Sequence, residues 1–224
     1  MASLTEKKRS ELRELEEEWR DCEACPRRKQ RRAFLRANGS GAQMLFVIDR
    51  PSNADVKYGR VGRGDEYDIL DTALECAGLT RRDIVMTPGI ACGTSFSDKI
   101  AEAHRKKCAP RVLNQVHIVQ PKIIVCLGAG AVKAIFPKNP PRHAPNIGRV
   151  LEADIPGDFC HYKVPVLITY SLSGLMRTPD MSPTGTWAKF AGHIIQAMDT
   201  INLFNRARNN ECVRDLMRES SSQS

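Results

Sequence analysis

No apolar run in the sequence reaches the length that a helical membrane span requires, which excludes an embedded chain of that kind. The opening stretch MASLTEKKRSELRELEEEWR lacks the apolar core of a secretory signal, so export is not expected. The expected location is therefore the cytoplasm, with a nucleoid or viral replication context as variants of it. Without export, the eight cysteines read as reduced thiols and ligands rather than disulfides. There is no internal repeat. Acidic residues are the minority, 26 Asp and Glu against 34 Lys and Arg, and the net charge of +8 suits a polyanion such as DNA. What is present is ordinary for a soluble protein: 224 residues, 42% hydrophobic and 27% charged, enough to bury one substantial core. The expected organisation is a single domain over 1–205, opened by a helix at 4–21, with a tail at 206–224 whose end is frayed.

Four cysteines carry the strongest pattern. Cys22 and Cys25 stand in the run CEAC; 66 residues intervene before Cys92, and fifteen more separate it from Cys108. Two thiolates three positions apart can grip one metal or cluster, and two more from a later loop and helix complete a four-sulfur site. Zinc and iron–sulfur clusters both accept four thiolates, so the cysteines alone leave the metal open. Zinc more often uses two short knuckles, and a gap of fifteen is long for one. The competing reading is ordinary buried cysteine, which packs as a small hydrophobe.

Along the chain, Leu4, Leu12, Leu15 and Trp19 recur at helical spacing and lead into Cys22. The run PRRKQRR follows, and Arg27, Arg28, Lys29, Arg31 and Arg32 form a candidate phosphate-contacting patch, with a solvated loop as the alternative. Met44–Ile48, Asp83–Thr87, Lys122–Leu127 and Val164–Thr169 are apolar runs of the kind expected of covered parallel strands, and Val150–Glu152 is a further candidate. Helices are expected at Ile69–Ala77, at about 99–119 with Ser97 or Asp98 as cap, and at about 185–203 with Trp187, Phe190, Ile194, Ile195 and Met198 turned inward. The Gly128-Ala-Gly130 step lacks the third glycine and the ribose-reading acid of a dinucleotide fingerprint, and reads as a tight strand–helix turn. Strands alternating with helices predict an α/β fold of three layers, α/β/α, around a mainly parallel sheet. Loops near 49–64, which include the glycine-rich stretch with Arg60 and Arg63, near 88–92 and near 170–177 should gather on one sheet edge as the site.

In order and content these features resemble the iron–sulfur uracil-DNA glycosylases, the family usually called family 4, over about residues 8 to 200. The resemblance rests on CEAC, FVIDRPS, VMTPGIAC, the fifteen-residue step to Cys108, PKIIVCLG, TYSLSGLMR and TWAKF. It implies a uracil-DNA-glycosylase-like fold, DNA as partner, and a 4Fe-4S cluster held by Cys22, Cys25, Cys92 and Cys108. Members of that family flip uracil out of the duplex and cut its bond to deoxyribose. They use a loop glutamate, a base-reading asparagine, a stacking aromatic and a late histidine. Here Asp49 stands in the glutamate's place, Pro88 in the asparagine's and Ser171-Leu172 in that of His-Pro, while GRVGRG lacks the stacking ring. Tyr170, Leu175 and Arg177 match the DNA-facing loop. Two functions follow as expectations. One is a DNA-binding 4Fe-4S module of repair or replication, which pairs with DNA or with a replication or repair protein and has lost its chemistry. The other is a divergent glycosylase with Asp49 orienting water and Ser171 beside the leaving base. A zinc-stapled protein unrelated to DNA is a third reading.

Overall fold

Five-residue runs with no polar residue can be stable only where both faces are covered, and the computed structural model puts them at the centre of a six-stranded sheet. It describes residues 3–94, 99–157 and 161–221, with side chains to 203. In chain order the elements are α1 (Glu6–Arg20), α2 (Arg27–Gln30), β1 (Ala33–Phe34), β2 (Asn38–Gly39), β3 (Met44–Ile48), α3 (Asn53–Tyr58) and α4 (Glu66–Cys76). They continue with β4 (Ile84–Pro88), β5 (Cys92–Gly93), α5 (Glu102–Val119), β6 (Ile123–Leu127), α6 (Ala129–Ile135), β7 (Val150–Ile155), β8 (Tyr162–Thr169), α7 (Leu172–Arg177) and α8 (Thr186–Ser221).

The main sheet has the order β2-β4-β3-β6-β8-β7. Its four inner strands are parallel, and the edge strands β2 and β7 run antiparallel to their neighbours, so the sheet is mixed. Along β3, Met44, Phe46 and Ile48 enter one layer of core while Leu45 and Val47 enter the other, the two-residue alternation of a pleated strand. The first layer is covered by α4, α7 and α8, and the second by α1, α5 and α6. This is the expected three-layer arrangement. No helix among the described residues is long and apolar enough to cross a membrane.

Several boundaries differ from the sequence reading. The helix α5 begins at Glu102, where the His104 ring accepts the Ala101 amide, and the expected caps Ser97 and Asp98 lie outside the described residues. The last helix, expected to end near 203, keeps helical backbone to Ser221, because no glycine or proline interrupts 193–221. Residues 222–224, the extreme of the expected frayed tail, are outside the described residues. On α8 the buried positions are Phe190, Ile194, Ala197 and Ile201, while Ile195, expected inside, is 41% exposed. A second small sheet pairs β1 with β5, and this brings the basic segment after Cys25 against the strand that carries Cys92.

Candidate functional site

The C-terminal ends of β3 and β6 and the start of α7 frame a cavity of about 340 Å³. Asp49 leaves β3 directly into it, and Arg105 reaches it from the first turns of α5. The two form a bidentate ion pair, Nη1 to Oδ1 and Nη2 to Oδ2, the latter at 3.3 Å. Gly130 is what allows this: a β-carbon there would lie 1.9 Å from Asp49 Oδ1 and 2.3 Å from Arg105 Nη1. The GAG step is thus a tight turn, as expected, and its second glycine leaves room for an ion pair. Ser171 faces the same cavity but caps α7, its Oγ accepting the Gly174 amide at 3.1 Å, so one of its two lone pairs is committed and its proton is left to donate elsewhere. Ser52, Lys133 and Arg177 complete a polar, mainly basic lining.

A buried carboxylate that the sequence reading missed organises the glycine-rich loop. Asp55 on α3 accepts the Ser52 amide at 3.0 Å, the Arg63 amide at 2.9 Å and the Tyr67 hydroxyl at 2.9 Å. In return the Asp55 amide donates to Ser52 Oγ at 3.1 Å, completing a capping box. The signal was present as Ser-x-x-Asp just after a strand. Burial beside Asp55 pushes the Tyr67 phenol far above its ordinary value, so it stays a donor.

Two of the three loops gather here and one does not. The 88–92 segment contributes no lining residue. Gly89 and Ile90 donate their amides to the carbonyls of Ile48 and Asp49, and the chain then turns toward β1. Pro88 accordingly stands away from the cleft. The basic residues also divide. Arg27 is 3% exposed and donates to Lys99 O and Thr94 Oγ1, so it is a structural residue and not a DNA contact: position 27 of the one-turn helix α2 points inward. Arg28 is paired with Asp21 and Glu23, and Arg31 binds the Arg20 carbonyl and lies over the Phe34 ring. Lys29, Arg32, Arg63 and Arg177 are exposed, as is Arg60, which donates to Asn38 Oδ1. Leu175 is 2% exposed within the core and corrects the expectation that it meets DNA; its neighbour Met176, 44% exposed, is the apolar side chain that faces out. Tyr170 is half-buried, stacked on His193 with ring centroids 5.8 Å apart.

In a separate place, Cys22, Cys25, Cys92 and Cys108 all line one small cavity, together with Trp19, Phe34 and Arg111. Cys22 and Cys25 follow α1 and are half-buried; Cys92 on β5 and Cys108 on α5 are buried. Burial raises the Cys92 thiol, and it pushes Cys108 up to about 11, with Cys25 and Cys92 opposing its ionisation as well. Among the described residues, no group of three or more His, Cys, Asp or Glu side chains is arranged to hold a single metal ion. Cys126 lies in the core on β6 and Cys76 is exposed on α4, apart from this cavity.

A family model described as the uracil DNA glycosylase superfamily matches residues 31–193. The chain belongs to this superfamily. A type-4 uracil-DNA glycosylase of Pyrobaculum aerophilum is 25% identical over 170 residues, 75% of this chain and 86% of the relative. The corresponding protein of Sulfurisphaera tokodaii is 30% identical over 129 residues, 57% of this chain and 59% of the relative. That of Thermotoga maritima is 28% identical over 126 residues, 55% and 66% of the two chains. The superfamily match takes in Asp49, Ser171, Cys92 and Cys108, and it begins after Cys22 and Cys25.

Proposed function

We propose that this superfamily member is a DNA-binding 4Fe-4S protein of DNA repair or replication in which glycosidic-bond hydrolysis is weak or lost. The observation that carries the reading is the Asp49–Arg105 ion pair. Hydrolysis of an N-glycosidic bond builds positive charge on the sugar, and a carboxylate helps only if its own charge is uncompensated there or if it can orient water. A bidentate guanidinium engages both carboxylate oxygens and cancels most of their field. Opposite it, Ser171 offers one neutral donor whose oxygen is already committed to a helix cap. The basic side chains at Lys29, Arg32, Arg60, Arg63 and Arg177 would contact phosphates, which gives affinity without reading sequence.

The cluster reading rests on the donor set. Four thiols line one cavity, and a 4Fe-4S core takes one thiolate per iron. Cys22, Cys25, Cys92 and Cys108 would hold it, joining the end of α1 to β5 and α5. Once bound, the cluster supplies structural cross-linking and one-electron chemistry. This chain's own residues set the rest: α5 carries both Arg105, which reaches the cleft, and Cys108, one turn further on, which lines the cysteine cavity.

The alternative is an active divergent glycosylase using Asp49 and Ser171, and one assay separates the two. Anaerobically purified protein is incubated with uracil-containing single- and double-stranded DNA, and abasic sites are scored. Little or no release is expected from the wild type. Arg105→Met with Ser171→His frees the carboxylate and restores a donor, and should raise release by about 10²-fold or more. Asp49→Ala should abolish that gain. Robust wild-type excision dependent on Asp49 establishes the alternative.

A further inference from the structure

Arg111 is the largest side chain that is fully buried, at 0% exposure. Isolated charges are not left in an interior: desolvation penalises them heavily, and a partner of opposite charge must offset it. Yet among the described residues Arg111 forms no ion pair. Its Nη1 donates to Thr87 Oγ1 at 3.3 Å and its Nη2 to the Pro88 carbonyl, both neutral, and its Nε has no partner. The nearby carboxylate, Glu16, forms no direct ion pair with it, although the two are close enough to interact through their charges. Glu16 accepts instead from Gln115 Nε2 at 2.8 Å and from the Ala37 amide at 2.6 Å, and Gln115 in turn takes the Thr87 hydroxyl at 2.6 Å. One face of Arg111 lines the cavity into which the four cysteines open.

We infer that Arg111 is the buried counter-cation of the cluster, and that it acts both to retain the cluster and to set its potential. The inference rests on the cluster reading above. Four thiolates around an oxidised 4Fe-4S core leave a net charge of about −2, the missing negative charge beside this guanidinium. Arg111 has the location for it: it sits three residues beyond Cys108, under the cavity, where no solvent screens it. The other cations near the thiols are unlike it. Arg28 is paired with Asp21 and Glu23, Lys107 is exposed, and Arg31, which reaches Cys92, is only half-buried and also donates to the Arg20 carbonyl. A fixed cation next to the cluster favours the added electron, so its removal makes reduction harder.

The test uses full-length protein with its cluster reconstituted, as wild type, Arg111→Lys and Arg111→Gln. Iron and sulfide content, one-electron midpoint potential and denaturant midpoint are measured, the last with and without cluster. R111Q should move the potential negative by at least a tenfold change in the reduction equilibrium, about 59 mV, while R111K stays near wild type. In the stability series the sign should reverse: R111Q loses stability relative to wild type with the cluster and equals or exceeds it without. An unchanged R111Q potential overturns the inference. So does an R111Q protein destabilised equally with and without cluster, the mark of a purely structural arginine balanced by Glu16. If R111Q takes up no cluster, the cluster-free comparison decides alone, and lower stability than wild type there refutes the assignment. Wild-type protein that binds zinc and no iron would sink the cluster reading itself, a result separate from these.

Discussion

Replacing Asp55 by alanine tests whether one buried carboxylate holds the glycine-rich loop against the cleft. It withdraws the acceptor from three donors at 2.9–3.0 Å: two backbone amides, of Ser52 and Arg63, and the phenol of Tyr67. A donor left unpaired costs about 1–3 kcal/mol, the low end where water can return. The two amides lie near the surface and fall at about 1 kcal/mol each; the Tyr67 hydroxyl is buried and falls at about 2. The expected loss is thus about 4 kcal/mol, or about 8–16 °C in midpoint for a chain of this size. Tyr67→Phe deletes one of the three bonds and should cost about 1–2 kcal/mol, and the pair should be strongly non-additive, because after Asp55→Ala the hydroxyl has nothing to lose. Thermal and urea unfolding of the full-length protein measures all three. The reasoning fails if Asp55→Ala loses no more than Asp68→Ala, an exposed aspartate on the next helix, or if the two effects simply add.

Other outcomes follow from charges and burial. Burial raises the Glu16 carboxyl above its ordinary 4.5 despite Arg111 and Arg36 nearby, so the folded state holds its proton longer than the unfolded one. Glu16's contribution is therefore fully present below about 4.5 and is lost as pH rises through the raised value. Glu16→Gln should erase that slope and gain on wild type toward neutral pH, and parallel unfolding curves at every pH would refute it. DNA binding should be sequence-independent with a steep log–log salt dependence, about 0.9 per phosphate neutralised, and Arg177→Ala should reduce the slope by about that amount. An unchanged slope removes Arg177 from the interface. Leu175→Ala should cost about 2–5 kcal/mol of stability as a core truncation, whereas Met176→Ala should leave stability nearly intact. Equal losses would mean that the burial of Leu175 is misjudged.

The amino-acid sequence by itself located the four inner strands, expected at 44–48, 83–87, 122–127 and 164–169 and found at 44–48, 84–88, 123–127 and 162–169, because an apolar run bounded by turn residues has few places to be stable except inside a covered sheet. Its spacing also marked Cys22, Cys25, Cys92 and Cys108 as a candidate set, and the fold brings these four to one cavity. What only the tertiary structure decided is who meets whom across the chain. Asp49 and Arg105 are 56 positions apart, and nothing local to either announces the ion pair that alters the reading of the cleft. In PRRKQRR the charges look equivalent, yet one turn of helix sends Arg27 inward and leaves Lys29 and Arg32 out. The same holds for Leu175 and Met176, and for the loop after β4, which turns from the cleft toward the cysteines. Periodicity is a property of the local backbone and survives in the sequence; burial and charge pairing depend on which distant surfaces the fold presses together.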